Sequence, residues 1–328
     1  MKALHLGFVF DCQEDYLAQG FTPEQVAEFD PRVTVEGIAA GLHACGHEVS
    51  LVGNGQALAR SLAQGQRYDL VFNIAEGLTG FSREAQVPAL CELYRQKYTF
   101  SDPLTCALTL HKAMAKRVVR DAGLPTAPFF VVESPQDLRE IPFPGPYFAK
   151  PVAEGSSKGI SARCQAQAAS TLQEVCRELL ASFQQPVLVE RFLPGREVTV
   201  GIVGNGGGAR VLGVMEVEFT ERAETQAYTA LNKEQYRERV RYRLLQDEEL
   251  ARQAGDLALA VYHLLGCRDA ARLDLRCDET GTPQFLEANP LPGLDPIRSD
   301  LPILARLAGV EYVELLSAIV EAAWTRRW

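Results

Sequence analysis

The sequence predicts an α/β protein with a parallel sheet in its amino-terminal domain and mostly antiparallel strands after it. Apolar stretches at residues 3–10, 48–52 and 70–75 alternate with a helical pattern at residues 33–45. Continuous apolar strands separated by helices are typical of a parallel sheet that is covered on both faces. The later stretches VLVERFL, EVTVGIVG and ARVLGVMEVEF follow one another directly, which favours antiparallel pairing.

Composition and charge exclude several classes of protein. The chain has 328 residues, a length that suggests about two domains. Its 33 basic and 42 acidic residues give a net charge of −9, which argues against nucleic acid as a partner. No run approaches the roughly 18 apolar residues that cross a membrane, so no membrane partner is expected. Eight cysteines without a C-x-x-C pair predict reduced, buried thiols and a cytoplasmic protein.

The middle of the chain contains the next predicted elements. They are a basic helix at residues 111–122, strands at 129–132, 147–152 and 160–164, and a long helix at 166–183. The GNGGG run at residues 204–208 predicts a hairpin loop. Residues 220–243 are polar and irregular, and long segments of this kind in compact domains are often lids. We therefore expect a lid loop over about 220–243.

Residues 271–290, ARLDLRCDETGTPQFLEANP, predict a hairpin with one polar face. The turn signal Thr280-Gly281 lies at its centre, because Gly281 can adopt positive φ. Centring the hairpin there gives two polar pairs, Asp274 with Glu287 and Arg272 with Asn289, and two apolar pairs, Leu273 with Ala288 and Leu275 with Leu286.

The two facing carboxylates of this hairpin repel each other unless something compensates them. One interpretation is a solvated face neutralised by Arg272 and Arg276. The other is a divalent cation between Asp274 and Glu287, for which oxygen ligands without His or Cys suit Mg²⁺ or Mn²⁺. The pattern alone leaves both interpretations open.

The stretch KPVAEGSSKG at residues 150–159 predicts an anion cradle. Its small residues allow several backbone N–H groups to converge on an anion, and Lys150 and Lys158 add positive charge. It lacks the P-loop spacing, and by itself it is also compatible with a plain turn between strands. Lys112 lies on the basic helix, where a solvated position is the alternative interpretation.

Taken in order, these motifs resemble those of the ATP-grasp ligases, and most closely the D-alanine–D-alanine ligase branch. The resemblance rests on Lys112 in its helix, EGSSKG behind Lys150, VLVERFLPGREVTV, and RLD followed by LEANPLPG, and it covers nearly the whole chain. It implies a Rossmann-like, parallel-sheet (pre-ATP-grasp) domain at residues 1–102. A two-lobed ATP-grasp domain with antiparallel sheets would follow, its small lobe at 103–186 and its carboxyl-terminal lobe at 187–328.

The resemblance also implies roles for individual residues. The residues expected to bind ATP are Lys112, Lys150, Gly155, Ser156, Ser157, Glu190, Arg191, Phe192, Leu193, Glu197 and Lys233. The expected metal ligands are Asp274, Glu287 and Asn289, holding two Mg²⁺ (or Mn²⁺) ions. Arg272, Ser156 and Lys233 are expected to be catalytic, and the residues expected near the amino-acid substrates are Glu28, Asp30, Arg272, Gly293 and Ser299.

The implied activity is an ATP- and Mg²⁺-dependent carboxylate–amine ligase that joins small amino-acid-like substrates through an acyl phosphate. A non-catalytic ATP sensor and a kinase that stops at phosphoryl transfer are the alternatives, and Arg272 argues against a sensor because ATP binding does not require it. Related ligases are commonly dimers, and the sequence leaves a homodimer open.

Three departures from the family pattern affect the substrate region. FNIAEG, with Glu76, stands where the family has a histidine-bearing ALHG-type segment. Glu234 follows Lys233 where a tyrosine is usual, and NPLPG replaces N-T-x-P-G. None of these positions belongs to the ATP-binding set. We therefore expect intact nucleotide chemistry and an altered amino-acid pocket, serving either D-alanine twice or a different pair of substrates.

Overall fold

A computed structural model describes residues 2–220 and 236–327, in which the strands form three sheets. The sheet orders are β2-β1-β3, β4-β7-β5-β6 and β10-β9-β8-β11-β12. The strands are β1 His5–Val9, β2 Glu48–Gly53, β3 Leu70–Asn73, β4 Phe129–Val132, β5 Tyr147–Pro151, β6 Gln165–Ala166, β7 Val187–Arg191, β8 Glu197–Val203, β9 Arg210–Phe219, β10 Val240–Leu244, β11 Ala270–Cys277 and β12 Pro283–Asn289.

The three predicted helices are present, as Arg32–Ala44, Lys112–Asp121 and Ala169–Phe183, and the structure adds helices that were not predicted. Side chains of Asp102 and Asp247 accept hydrogen bonds from backbone N–H groups and begin α5 and α9. The α-helices are α1 Gln13–Leu17, α2 Arg32–Ala44, α3 Gly55–Ala63, α4 Gln86–Leu93, α5 Pro103–Leu110, α6 Lys112–Asp121, α7 Ala169–Phe183, α8 Tyr236–Arg239, α9 Glu248–Leu264, α10 Asp300–Leu307 and α11 Tyr312–Thr325. None of the helices described is long and apolar enough to cross a membrane.

The amino-terminal sheet is parallel, as predicted. β1 lies between β2 and β3 and pairs in parallel with both. Its apolar residues, among them Leu6 and Phe8, are completely buried. Apolar residues of α2 and α11 pack against them in one core, so the last helix of the chain covers the first sheet.

The four-stranded sheet is antiparallel in all its pairings, and it corrects one prediction. The strand expected at residues 160–164 is wrong, because Ala162–Cys164 form a 3₁₀ turn and only Gln165–Ala166 pair with β5. The thiol of Cys164 folds back to the carbonyl of Gly159, which keeps this segment compact. β7 belongs to this sheet by its hydrogen bonds, although the boundary predicted at residue 186 precedes it. That boundary stays a prediction.

The five-stranded sheet is also antiparallel, and α9 packs on it in a second core. Residues 204–208 lie in the loop between β8 and β9, as predicted. The prediction of an irregular segment over 220–243 is wrong at its carboxyl end, where β10 pairs with β9. The alternating sequence VRYRL allows β10 to bury Val240 while both arginines stay exposed. Residues 221–235, including Lys233 and Glu234, lie outside the described residues.

Candidate active site

The hairpin of β11 and β12 brings the predicted polar residues together on one face. Asp274 pairs with Glu287 and Arg272 with Asn289, and Leu273 pairs with Ala288 on the other face, all as predicted. The predicted pair of Leu275 with Leu286 is wrong, because a bulge after Asp274 pairs Leu275 with Phe285 instead.

The bulge in β12 changes what faces the neighbouring cleft. Leu286 is the extra residue of the bulged strand, and both it and Glu287 line the cleft. Phe285 is completely buried in the core on the other side of the sheet. The hairpin therefore presents an apolar side chain directly beside the carboxylate that was predicted to bind metal.

Basic and amide groups hold both hairpin carboxylates. Arg272 Nη2 lies 2.9 Å and Asn289 Nδ2 3.1 Å from Asp274 Oδ2. Glu287 Oε2 lies 3.4 Å from Lys112 Nζ. Burial opposes ionisation of Glu287, but Lys112, Lys150 and Arg272 outweigh it and lower its pKa to about 2. Glu287 is therefore an anion over the whole physiological pH range.

The donor atoms at this hairpin fit a hard divalent cation. Two carboxylates and one side-chain amide offer oxygen atoms on one face, and Mg²⁺ prefers such ligands in small number. The described residues contain no group of three or more His, Cys, Asp or Glu residues arranged to hold a metal. A cation here would therefore need further oxygen ligands, which phosphate groups supply.

We call the space beside this hairpin the lysine cleft. It lies between the four-stranded and five-stranded sheets and encloses about 870 Å³ with its open mouth. The structure places in its walls nearly the whole predicted ATP-binding set, namely Lys112, Lys150, Gly155, Ser156, Ser157, Glu190, Arg191, Phe192, Leu193 and Glu197, together with Arg272, Asp274 and Glu287.

A buried ionic triad lies at one wall of the lysine cleft, with two members in the wall and the third behind it. Lys150 on β5 and Glu190 on β7 are diagonal neighbours on one face of the sheet, and Lys150 Nζ lies 2.8 Å from Glu190 Oε2. The other carboxylate oxygen lies 2.5 Å from Nζ of Lys116, which is completely buried. Sequence reasoning missed Lys116, although it follows Lys112 by one helical turn in α6.

Arg276 also lines the lysine cleft and holds its neighbours in place. Arg276 Nη1 lies 2.7 Å from Glu197 Oε2, and its Nε donates to the carbonyl oxygen of Leu193 at 2.6 Å. The guanidinium carbon lies 4.9 Å from the centre of the Phe192 ring. Arg276 thus holds Glu197 and the segment before β8 in place, rather than compensating the hairpin carboxylates.

The predicted anion cradle is a tight loop after β5. Ser156 and Ser157 adopt left-handed backbone conformations, with φ of 48° and 58°, which L-residues rarely adopt. The N–H of Gly155 donates to Glu28 Oε1 at 2.7 Å. A side-chain carboxylate from the amino-terminal domain therefore already accepts a hydrogen bond from one of the cradle amides. Lys158 Nζ pairs with Glu154 at 3.0 Å.

A second space, which we call the acidic cavity, adjoins the lysine cleft and has about 1990 Å³ with its opening. Lys112, Ser156, Arg272 and Glu287 are among the residues that line both. The predicted substrate residues Glu28, Asp30, Gly293 and Ser299 lie in its walls, as does Asn289.

Two of the predicted substrate residues already have partners. Glu28 Oε2 lies 2.7 Å from Arg83 Nη2, and both side chains are almost completely buried. The hydroxyl of Ser299 accepts from the N–H of Asp295 at 2.9 Å, across from Gly293. Arg83 donates in turn to the carbonyl oxygen of Ala153, next to the cradle. These contacts tie the amino-terminal domain to both spaces.

Three carboxylates of the acidic cavity are different, because no hydrogen bond joins them to any part of the chain that the structure describes. They are Asp30, Glu76 and Glu84. Burial, reinforced by Asp295, raises the pKa of Asp30 to about 7. Burial also raises the pKa of Glu84 to about 7 although Arg83 opposes it, and raises that of Glu76.

Several residues of the acidic cavity were missed by sequence reasoning. Glu84, Asp295, Arg298 and Asp300 all line it. Asp300 is 3.3 Å from Arg272 Nη1, so Arg272 is held between Asp274 and Asp300. No local motif marks these positions, and only the folding of residues 81–85 and 295–300 toward the hairpin brings them there.

The comparisons with known proteins identify the family. A family model described as the D-ala D-ala ligase C-terminus matches residues 118–321. D-alanine–D-alanine ligases of Parvibaculum lavamentivorans and Sphingopyxis alaskensis are 34% and 32% identical to the chain over 304 and 295 residues. These alignments cover 89% and 88% of this chain and 92% of each relative. An uncharacterized protein of Sinorhizobium fredii is 32% identical over 303 residues, covering 89% of this chain and 87% of that protein.

Solved structures share the fold. The D-alanine–D-alanine ligase from Bacillus anthracis has a TM-score of 0.75 at 21% identity, covering 98% of this chain and 97% of that one. A D-Ala:D-Ser ligase from Enterococcus faecalis has a TM-score of 0.73 at 18% identity, covering 98% and 100%. The fold and the family together define an ATP-grasp ligase, a class that uses ATP and a divalent metal. The chain belongs to the D-alanine–D-alanine ligase family of ADP-forming ligases.

Proposed function

We propose that this enzyme joins two small amino-acid-like substrates, activating the carboxylate of the first as an acyl phosphate at the junction of the lysine cleft and the acidic cavity. The observation that carries this proposal is the position of Arg272. It lines both spaces, and its guanidinium is fixed by Asp274 at 2.9 Å and Asp300 at 3.3 Å. A fixed cation between a phosphate site and a substrate site is suited to the negative charge that moves between them.

In the lysine cleft, the chain binds and orients ATP. Lys112 and Lys150 neutralise phosphate charge, the loop at Gly155, Ser156 and Ser157 surrounds the phosphates, and the sheet edge at Glu190, Arg191, Phe192 and Leu193 contacts the base. Glu197, held by Arg276, binds the ribose hydroxyls. In both steps of the reaction, positioning and electrostatics supply most of the catalysis.

The reaction then needs only two displacements. A carboxylate oxygen of the first substrate attacks the γ-phosphorus and ADP leaves. The amine nitrogen of the second substrate attacks the acyl carbon, an amide forms and inorganic phosphate leaves. Arg272 stabilises the negative charge of the acyl phosphate and of the tetrahedral intermediate, and Ser156 and Lys233 are the other proposed catalytic residues.

The hairpin residues Asp274, Glu287 and Asn289 would hold the divalent metal, and we propose two ions. The metal supplies charge neutralisation at the phosphates during transfer. When Asp274 and Glu287 are both ionised, they set two negative charges against the positive charge of the metal. Lys112 would move from Glu287 to a phosphate group when ATP fills the cleft.

The acidic cavity favours substrates that bring positive charge. Asp30, Glu76 and Glu84 have no hydrogen-bond donor in the described chain, and buried carboxylates are stabilised by pairing with a cation. An amino group of a substrate would provide that partner. Glu76, in place of the usual family segment, favours a substrate pair other than two D-alanines.

The experiment is an assay of phosphate release from ATP and Mg²⁺ with panels of D- and L-amino acids that include diamino acids, with mass spectrometry of the products. Release stimulated by an amino acid, together with a dipeptide or amide of matching mass, supports the ligase. A dipeptide made best from D-alanine alone would contradict the altered pocket. ATP binding without turnover in every panel would favour the sensor, and a stable phosphorylated product would favour the kinase. Homodimer formation, absence of nucleic-acid binding and cytoplasmic location stay predictions.

A further inference from the structure

The buried triad of Lys116, Glu190 and Lys150 contains more positive than negative charge. One carboxylate oxygen of Glu190 binds Lys116 at 2.5 Å and the other binds Lys150 at 2.8 Å. Lys116 is completely buried and Glu190 is 2% exposed, while Lys150 lines the lysine cleft. Two ammonium groups therefore share one carboxylate in a place that water screens poorly.

Lys116 lies behind this wall and not in it. It does not line the lysine cleft, and besides its ion pair with Glu190 it donates a hydrogen bond to the carbonyl oxygen of Phe285 at 3.1 Å. Phe285 immediately precedes the bulge of β12. Burying an ammonium group is unfavourable, so packing alone does not give the reason why a lysine occupies this position.

The charge balance of the triad supplies that reason. A pair of only Glu190 and Lys150 would be neutral, and the field of the lysine at a phosphate would be largely cancelled by the carboxylate 2.8 Å away. Adding Lys116 gives the triad a net charge of about +1 when all three groups are ionised. The pKa shifts of the two lysines agree with this charge balance. Burial lowers the pKa of Lys116, although Glu190 opposes this change. The pKa of Lys150 is raised despite burial, mainly because of Glu190.

We propose that Lys116 is a positioning residue that keeps Lys150 available as a cation for the ATP phosphates, by sharing the carboxylate of Glu190 from behind the cleft. The proposal rests on the proposed nucleotide site. Lys116 contacts neither substrate nor nucleotide in this role. It sets the net charge of the wall against which the phosphates bind, and Glu190 sets the orientation of Lys150.

The test is a charge cycle with the full-length protein. The Lys116→Met variant leaves the triad neutral, and the double variant Lys116→Met, Glu190→Gln restores a net charge of +1 on Lys150. Affinities for MgADP and for adenosine are measured by calorimetry or by competition. Arg117→Met is the matched control, since it removes one positive charge from the exposed side of the same helix. Thermal unfolding and circular dichroism check that each variant is folded.

We expect Lys116→Met to weaken MgADP binding about tenfold, the size expected for losing one poorly screened charge near a phosphate. Adenosine affinity should stay within about twofold, because adenosine has no phosphate for the triad to attract. The double variant should recover most of the ratio of MgADP affinity to adenosine affinity, because Glu190→Gln keeps the backbone edge proposed to contact the base, and Arg117→Met should leave both affinities unchanged. A purely structural lysine would weaken ADP and adenosine equally, or leave the double variant no better than the single one, and either result overturns the proposal. A double variant that folds decides the matter even if Lys116→Met alone does not fold. If the wild type binds no nucleotide, the proposed function itself fails first.

Discussion

The lysine cleft and the acidic cavity share a wall but differ in how their charges are paired. In the cleft, Lys112 and Lys150 each face a carboxylate of the site, Glu287 and Glu190, so charges are paired before any ligand binds. In the cavity, Asp30, Glu76 and Glu84 have no such partner in the described chain. The difference indicates that the cleft exchanges its internal ion pairs for phosphate and metal, whereas the cavity needs positive charge from its substrates.

The largest effect is expected at the hairpin that separates the two spaces. Replacing Glu287 by Gln removes one of the two carboxylates available to the metal and should lower the rate of ATP-dependent product formation by about 10³ or more. Initial rates at saturating ATP and Mg²⁺ measure this. Glu321→Gln is the control, because it makes the same change at an exposed position of α11, away from both spaces. Activity of Glu287→Gln near that of the control would contradict the metal assignment.

A smaller but more selective effect is expected at Arg272. Replacing it by Ala should lower product formation by about 10² to 10³, since one preorganised charge at the transferring group is lost. MgADP binding should change little, because Lys112 and Lys150 remain. Arg306→Ala, on the exposed side of α10, controls for loss of a charge. Equal losses in binding and in catalysis would show that Arg272 serves the cleft alone.

The unpaired acids of the cavity predict a pH-dependent stability. The pKa of Asp30 is raised from 3.8 to about 7 in the folded protein, mainly by burial. Its carboxyl therefore favours folding fully below the unfolded pKa, and this contribution is lost progressively as pH rises toward 7. Asp30→Asn should be more stable than the wild type at pH 8, and this gain should disappear at pH 4. Urea unfolding at both pH values measures the difference, and an equal gain at both would show that Asp30 is not buried as an unpaired acid.

The smallest effect is expected on the rim of the acidic cavity. A Cβ at Gly293 would lie 2.8 Å from Ser299 Oγ, which must then move. Gly293→Ala should raise the KM for an amino-acid substrate severalfold and cost about 1 kcal/mol or less of stability. Gly207→Ala is the control, because a Cβ there meets no atom within 4 Å. An unchanged KM would remove Gly293 from the substrate site.

The lysine cleft was predictable because its residues stand in local patterns. Lys150 and the cradle are contiguous, Glu190 to Glu197 form one strand-loop-strand segment, and the turn at Gly281 sets the register that brings Asp274 opposite Glu287. The bulge in β12 could not be predicted from residue spacing alone. It depends on the packing of Phe285 in the core, which the local sequence does not show.

The acidic cavity was only partly predictable, because its walls come from distant parts of the chain. Glu76 follows β3 and Glu84 lies in the turn at Arg83–Ala85, whereas Asp295 and Asp300 come more than 200 residues later. Charged residues in polar loops usually face solvent, and nothing in their local sequence indicates burial. Lys116 was not predicted for a similar reason. A buried lysine requires an acidic partner, and its partner Glu190 comes from a strand far along the chain.

The central claim is that a substrate carboxylate becomes an acyl phosphate where the two spaces meet, and oxygen labelling tests it most directly. The enzyme is supplied with ATP, Mg²⁺ and the productive amino acids, and the one whose carboxylate enters the amide bond, identified by mass spectrometry of the product, contains ¹⁸O in that carboxylate. The account predicts that one ¹⁸O atom per turnover appears in inorganic phosphate, because the bridging oxygen of the acyl phosphate leaves with phosphorus. Phosphate released without the label would show that water, and not the carboxylate, attacks ATP, and would contradict the account.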